Sequence, residues 1–154
     1  MTTMNASKPV VDWEEMSVVG LNLTEVVDFG TPMMDILSGE VAPPPQGARI
    51  NVDFSGATTG ALSGTMSGTD FMNIRADGRI DLNIHAVIVT PDGARIAYEA
   101  GGVSVPGEGG IGHITETAKL TTSSEKYAWV NGHTFVAKGT VNLESGEVAL
   151  VLSK

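Results

Sequence analysis

The sequence predicts an all-β protein: one domain over residues 1–154, folded as an antiparallel up-and-down β-barrel of eight or nine strands. Glycine is frequent, at 19 of 154 residues, or about 12% against the usual level of about 7%. Several glycines lie in dipeptides that favour hairpin turns between apolar runs, namely Asp77-Gly78, Asp92-Gly93, Asn131-Gly132 and Ser145-Gly146. Many short strands joined by short turns favour closure into a barrel, because closure removes exposed sheet edges.

The runs between turn signals place the strands. The segment Ile80–Val89 is the clearest of them, since it combines β-branched residues with poor helix formers. The predicted strands are 17–29, 47–55, 60–66, 69–76, 79–90, 94–104, 111–122, 133–142 and 147–153. A two-sheet sandwich is the alternative, but it requires longer crossover connections than this sequence contains.

Two segments do not follow the strand pattern. Residues 1–15 are expected to form a strap or short helix that packs Trp13 on the barrel, or else a half-ordered terminus. Residues 31–46 begin with apolar side chains, including Met33 and Met34, and continue into Pro43-Pro44-Pro45. An apolar loop of this length in a small β-protein is either a lid over a pocket or a contact between subunits.

Composition limits the classes of partner. Nine Lys and Arg against eighteen Asp and Glu give a net charge of −9, which repels nucleic-acid phosphates and anionic lipid, so we expect no nucleic acid and no membrane partner. The absence of cysteine excludes disulfides, thiolate metal sites and thiol nucleophiles. The sequence has no apolar run long enough to span a bilayer, and its first residues do not resemble a signal peptide, so a cytoplasmic protein is expected.

The three histidines, His85, His113 and His133, are 28 and 20 residues apart. This spacing does not match a zinc motif, and we predict neither a metal nor another cofactor. His85 lies in the middle of a predicted strand and is the histidine that could serve as a general acid or base.

The hairpin at Asp77-Gly78 decides what surrounds His85. If these two residues form the whole turn, one mixed face pairs Ile74 with Asp81, Met72 with Asn83, and Asp70 with His85. The opposite face of the hairpin is mostly apolar. It collects Phe71, Ile80, Leu82, Ile84, Ala86 and Ile88, with Asn73 and Arg75 as polar exceptions.

Two interpretations of this hairpin remain open. The apolar face could fill the barrel, which would leave Asp81, Asn83 and His85 in solvent. Alternatively, the mixed face could line a ligand-holding interior. Tyr127–Asn131 is the densest aromatic segment, so Trp129 and Asn131 either anchor the core or form a wall of the ligand site, and Tyr98 is a second candidate of that kind.

The order and spacing of three segments, Ile74–Gly78, Thr90–Ile96 and Tyr127–Asn131, resemble the bacterial family called domain of unknown function 3237, over about residues 47–153. The resemblance implies a barrel like those of the allene oxide cyclase and lipocalin-like groups, often oligomeric, with no established activity. It also implies an acid and an arginine on the strand after the first Asp-Gly turn, where this sequence has Asn83 and His85.

These observations support three hypotheses. The first is a cofactor-free enzyme of the isomerase, cyclase or lyase type that transfers protons on a small, mostly apolar carbonyl or hydroxy compound. Its predicted catalytic residues are His85 and Asp70, and its predicted substrate-binding residues are Asn83, Asp81, Met72, Tyr98, Trp129 and Asn131. The second is a non-catalytic binding protein for a small apolar or aromatic ligand. The third is a structural homo-oligomer with a filled barrel and an interface at residues 33–37.

Overall fold

The computed structural model describes residues 7–9 and 11–154. Eight antiparallel strands follow one another around a closed barrel, and the last strand pairs with the first. The predicted up-and-down barrel is therefore confirmed. The strands are β1 (Glu15–Asp28), β2 (Ala48–Gly60), β3 (Gly64–Ile74), β4 (Ile80–Val89), β5 (Arg95–Pro106), β6 (Ile111–Thr121), β7 (Thr134–Asn142) and β8 (Glu147–Ser153). One short helix, α1 (Met33–Leu37), and two 3₁₀ segments, Glu108–Gly110 and Glu125–Gly132, lie between strands.

Two strands occupy the region where the sequence predicts three, at 47–55, 60–66 and 69–76. β2 continues to Gly60 and β3 begins at Gly64, so the predicted break at Ser67-Gly68 is wrong. A Cβ atom on Gly68 would lie 2.3 Å from the backbone oxygen of His85. This glycine therefore allows two strands to approach closely and does not mark a turn.

The two ends of the barrel differ. One end carries the long connection that contains α1, together with the turns that follow β3, β5 and β7. The other end holds the 3₁₀ segment Glu125–Gly132 and the junction where Glu14 and Lys154 exchange backbone hydrogen bonds of 2.9 and 3.0 Å. Val130 and Phe135 are fully buried near this second end, so apolar side chains fill it.

The turn between β3 and β4 corrects the predicted register. The backbone N–H of Arg75 donates to the carbonyl of Arg79 at 2.8 Å, and Gly78 takes a positive φ of 91°. The loop thus contains three residues, Ala76-Asp77-Gly78, and Asp70 pairs with Ile84 instead of His85. Side chains alternate between the two faces of a strand. The shift of one residue therefore puts Asp70 on the same face as Ile84, where the predicted register had put it on the face of His85.

Residues 11–14 precede β1 without forming a helix, and the Trp13 side chain is exposed. Residues 7–9 are also exposed and outside any helix, and residues 1–6 and 10 of the predicted N-terminal strap lie outside the described residues. In α1, Met33 and Ile36 are buried whereas Met34 is exposed. In the described part of the chain, every helix is too short or too polar to cross a bilayer.

Candidate functional site

A cavity of about 80 Å³ lies inside the barrel, and α1 contributes Met33 and Leu37 to its lining. Most of the lining side chains are aliphatic or aromatic, and they come from all eight strands. The polar exceptions are Asp70, Tyr98, Ser104 and Glu116. Among the described residues that line the cavity, none is Lys, Arg or His. The cavity is thus apolar and carries acidic groups, with no cation in the described part of its lining.

Glu116 is the most unusual of these polar groups. It lies on β6 and is only 2% exposed. Its Oε1 accepts a hydrogen bond of 2.7 Å from the Tyr98 hydroxyl on the neighbouring β5, while its Oε2 has no hydrogen-bond partner among the described residues. Burial raises the pKa of Glu116 to about 7, the Tyr98 hydrogen bond lowers it, and the charge of Asp70 raises it. Glu116 therefore titrates near neutral pH.

Gly102 makes room for Glu116 on β5. The two residues are directly paired across the strands. A Cβ atom on Gly102 would lie 2.2 Å from the backbone oxygen of Thr115 and 2.8 Å from the Cβ of Glu116. Only glycine allows β5 and β6 to approach this closely beside Glu116.

Asp70 faces the same cavity from β3. Its Oδ1 accepts a hydrogen bond of 3.0 Å from the backbone N–H of Asn83. The regular pairing of β3 with β4 is interrupted here. Asp70 pairs with Ile84 and Asn73 pairs with Asp81, but the residues between these two pairs are not paired, and the hydrogen bond from Asn83 to Asp70 lies in this gap. Burial raises the pKa of Asp70 to about 6, although the Asn83 hydrogen bond and the charge of Arg49 both lower it.

Tyr98 is the buried hydrogen-bond donor to Glu116. Its ring is 1% exposed, and burial followed by the charge of Glu116 raises the pKa of its hydroxyl well above 10.0. The hydroxyl therefore remains a hydrogen-bond donor at any neutral pH. Tyr98 holds Oε1 of Glu116, and the other carboxyl oxygen is the one left without a hydrogen-bond partner among the described residues.

The predicted catalytic histidine lies elsewhere. The side chain of His85 is on the outer surface of β4 and is 53% exposed, with Nδ1 3.9 Å from a Glu99 carboxyl oxygen. Asp81 and Asn83 share this outer face, and Asp81 accepts a hydrogen bond from Arg79 at 2.9 Å. The prediction that these three residues surround a ligand is wrong, because the alternate residues Ile80, Leu82 and Ile84 are buried and fill the inner face of β4. The three-residue turn places Asp70 and Met72 of β3 on that same inner face.

Trp129 and Asn131 also lie outside the cavity, which contradicts their predicted role as its wall. Trp129 packs edge-on against Phe135 with ring centroids 6.4 Å apart. The side-chain amide of Asn131 bonds both the backbone N–H and the carbonyl of Thr122, each at 2.9 Å. Both residues stabilise the filled end of the barrel. Of the predicted site residues, Asp70, Met72 and Tyr98 do line the cavity.

Sequence reasoning missed Glu116 and Ser104. In β6, Ile114, Ala118 and Leu120 point inward at every second position. Glu116 occupies the same phase of this alternation. A charged residue at a position where the alternation predicts a buried apolar side chain is unusual. This departure from the pattern could have identified Glu116 as an inward-facing residue. Ser104, which is small and only weakly polar, carries no comparable signal.

The hydrogen bond between Tyr98 and Glu116 leads to a testable prediction. In a Tyr98→Phe variant, Glu116 loses the donor that favours its ionised form, so we expect its pKa to rise above about 7. A ¹³C NMR titration of the labelled glutamate carboxyl groups measures this value. The Tyr127→Phe variant is the control, because that hydroxyl donates to Asp92 at 2.8 Å and not to Glu116. A Glu116 pKa that falls in Tyr98→Phe would contradict the prediction.

Metal-ligating side chains do not gather at this site. Within residues 7–9 and 11–154, no group of three or more His, Cys, Asp or Glu side chains is arranged to hold a metal ion. The polar side chains that line the cavity are Asp70, Tyr98, Ser104 and Glu116.

Comparison with solved structures shows the same fold in other organisms. A protein of unknown function from Clostridium acetobutylicum ATCC 824 is 24% identical, with a TM-score of 0.75, over 94% of this chain and 99% of that chain. A β-barrel-like protein from Acinetobacter baumannii AYE is 19% identical, with a TM-score of 0.77, over 96% and 97% of the two chains. An enzyme from Penicillium herquei is 21% identical, with a TM-score of 0.65, over 97% and 99%.

At these identities, the structural likeness establishes the fold alone. No curated protein matches this chain. The sequence model of the family described as "Protein of unknown function (DUF3237)" matches residues 23–154. This match includes all the segments on which the sequence resemblance rests, and it covers every strand from β2 to β8. The chain therefore belongs to the DUF3237 family of β-barrel proteins.

Proposed function

We propose that the protein is a cofactor-free enzyme that transfers a proton on a small, mostly apolar carbonyl or hydroxy compound, as an isomerase, cyclase or lyase does. The observation that carries this proposal is the buried, unpartnered Oε2 of Glu116 beside an apolar cavity. The similar barrel from Penicillium herquei is described as an enzyme, which agrees with a catalytic use of the fold.

An unpartnered carboxyl oxygen is unfavourable inside a protein. Leaving a buried polar group without a hydrogen bond destabilises the fold by about 1–3 kcal/mol. A bound ligand that offers a donor or acceptor to Oε2 of Glu116 would remove this penalty. Unsatisfied groups of this kind are rare in native proteins and are often functional. We infer that the ligand completes the hydrogen bonding of Glu116.

The pKa of Glu116, raised to about 7, suits proton transfer at neutral pH. A general acid or base is most effective when its pKa lies near the working pH, because both protonation states are then populated. Tyr98 holds the carboxyl group in place through Oε1, so the proton is exchanged at Oε2. This assignment replaces His85, whose ring faces solvent.

The cavity limits the size of the substrate. An apolar cavity of about 150 Å³ can hold benzene, whereas this one measures about 80 Å³. A ring-sized substrate thus requires some lining side chains to move. Met33, Met66 and Met72 line the cavity, and methionine side chains adapt readily to irregular shapes. Met33 and Leu37 of α1 belong to this lining, which favours the interpretation of residues 31–46 as a lid.

Hydrogen–deuterium exchange tests the proposal without knowledge of the product. Small cyclic ketones, enones and hydroxyketones are incubated with the protein in D₂O, and deuterium uptake at carbon is followed by ¹H NMR. We expect exchange with at least one compound, and a decrease of at least about 100-fold in the Glu116→Gln variant, since general acid–base catalysis contributes about 10²–10⁴-fold. His85→Gln is the matched control and should exchange at the wild-type rate.

The second candidate function is a non-catalytic binding protein for a small apolar ligand, and binding without deuterium exchange would favour it. The predominance of aliphatic side chains in the lining is also what a carrier for an apolar ligand requires. If compounds bind in the cavity but none exchanges deuterium, or if Glu116→Gln exchanges as fast as the wild type, the enzyme proposal is wrong.

A further inference from the structure

We propose that Asp70 and Glu116 act as a base and an acid on opposite sides of the cavity, and that their substrate is an uncharged carbonyl compound, for which a conjugated enone serves as the probe. This inference rests on the proposed function and deepens it, because it assigns the second carboxyl group and the class of substrate. Its basis is the placement of the two carboxyl groups, the hydrogen bonds that each already makes, and the absence of positive charge from the described lining of the cavity.

The barrel places the two carboxyl groups on different walls. Asp70 lies on β3 and Glu116 on β6, so β4 and β5 separate them on one side and the other four strands on the opposite side. In a closed barrel of eight strands, two inward side chains separated in this way face each other across the interior. A ligand in the cavity can therefore contact both groups at once.

Each carboxyl group has one oxygen held by the protein. The Asn83 backbone N–H occupies Oδ1 of Asp70 at 3.0 Å, and the Tyr98 hydroxyl occupies Oε1 of Glu116 at 2.7 Å. The second oxygen of each group is left for a ligand. A substrate between them would therefore meet one oxygen atom from each side, as a proton shift between two positions requires.

Electrostatics excludes an anionic substrate. A carboxylate or phosphate ligand would add a negative charge to an apolar space that already holds two acids and, among the described lining residues, no cation. A like charge also disfavours full ionisation of the pair, so one of the two acids retains its proton near neutral pH. The site thus offers one hydrogen-bond donor and one base to an uncharged molecule.

The surroundings determine which acid keeps its proton. The charge that acts on Asp70 is that of Arg49, which is exposed on β2 and lowers the pKa of Asp70. Glu116 faces Asp70 and the Tyr98 hydroxyl. The pKa of Asp70 is raised to about 6 and that of Glu116 to about 7. Where the surroundings of two acids separate their pKa values, the acid with the lower pKa serves as the base and the other as the proton donor. Asp70 is therefore the base and Glu116 the acid.

The proton transfer balances without a cofactor. The carboxylate of Asp70 takes a proton from the γ-carbon of the enone, and the electron pair of that C–H bond forms a new C=C bond. The conjugated π electrons shift toward the carbonyl oxygen, which takes the proton from Oε2 of Glu116. The product is a neutral dienol, with Asp70 protonated and the Glu116 carboxylate bonded to Tyr98. Return of the proton from Asp70 to the α-carbon, and of the O–H proton to Glu116, gives the deconjugated isomer.

Matched ring compounds test the substrate class. The probes are cyclohex-2-enone, cyclohexanecarboxylate and cyclohexylammonium, and binding near pH 7 is followed through ¹³C-labelled methionine methyl groups. Met33, Met66 and Met72 line the cavity, whereas Met34 is exposed and serves as an internal control. We expect the enone to shift the cavity signals and the carboxylate to bind at least about 10-fold more weakly, a difference of about 1.4 kcal/mol. Tighter binding of the carboxylate or the ammonium compound would overturn the proposal.

Variants of Asp70 test its role as the base. Asp70→Asn keeps an acceptor for the Asn83 N–H, so we expect cyclohex-2-enone to bind within about 3-fold of wild type while γ-carbon deuterium exchange falls at least about 100-fold. If exchange persists in Asp70→Asn but is lost in Glu116→Gln, this inference fails and the proposed function stands. If the wild type itself catalyses no exchange on any compound that binds, the proposed function fails.

A surface variant tests the same assignment if Asp70→Asn does not fold. Arg49 is exposed, and its guanidinium lowers the pKa of Asp70. In Arg49→Gln, the acidic limb of the exchange rate against pH should therefore move to higher pH. An unchanged acidic limb would show that Asp70 is not the base.

Discussion

Replacing Gly139 with alanine is expected to lower the free energy of unfolding by about 3 kcal/mol, the upper part of the usual range for overpacking. Gly139 lies on β7, and a Cβ atom there would be 1.8 Å from the backbone oxygen of Ala149 on β8. Real Cβ atoms do not approach a carbonyl oxygen this closely, so one of the two strands has to move. Chemical denaturation followed by circular dichroism measures the change.

Gly20 provides the matched control for this substitution. It also lies within a strand, but a Cβ atom there would meet nothing within 4 Å. Gly20→Ala should leave the protein as stable as the wild type or raise its stability by up to about 1 kcal/mol, because alanine restricts the unfolded chain. Equal effects of the two substitutions would show that the close approach of β7 and β8 does not constrain the barrel.

The second large effect concerns pH. The ordinary pKa of Glu116 is 4.5 and its value in the folded protein is about 7. Between these values, the folded protein keeps a proton that the unfolded chain has released, so stability falls as pH rises from about 4.5 to about 7. A difference of this size corresponds to a loss of about 3 kcal/mol. The raised pKa of Asp70 acts in the same direction.

Denaturation at about pH 4.5 and about pH 8 tests this linkage. The Glu116→Gln variant cannot ionise at this position, so its stability should fall by about 3 kcal/mol less than that of the wild type between the two pH values. Glu147→Gln is the control, since Glu147 is exposed on β8, and it should follow the wild type. An identical pH dependence in Glu116→Gln and the wild type would show that the Glu116 carboxyl group is not buried in the folded protein.

The β3–β4 hairpin shows most clearly which features the sequence predicts and which it leaves to the tertiary structure. The alternation of Ile80, Leu82 and Ile84 correctly predicts that β4 has one apolar face. The sequence left open whether that face or the mixed face lines the interior. Burial of Ile80, Leu82 and Ile84 decides that question in favour of the apolar face. Which β3 residues join that face depends on one residue in the turn, because Asp77-Gly78 is compatible with both a two-residue and a three-residue loop. The observed three-residue loop places Asp70 on the inner face, opposite to that of His85.

The sequence by itself determined the all-β class, the up-and-down order of the strands, the positions of most turns and the membership of the family, because these depend on local patterns of period two and on turn residues. Only the tertiary structure decided which groups meet in the interior. Tyr98 and Glu116 are 18 residues apart, and Asp70 faces them from β3. Such contacts depend on the closure and register of the whole barrel, to which every strand contributes and which no local segment specifies.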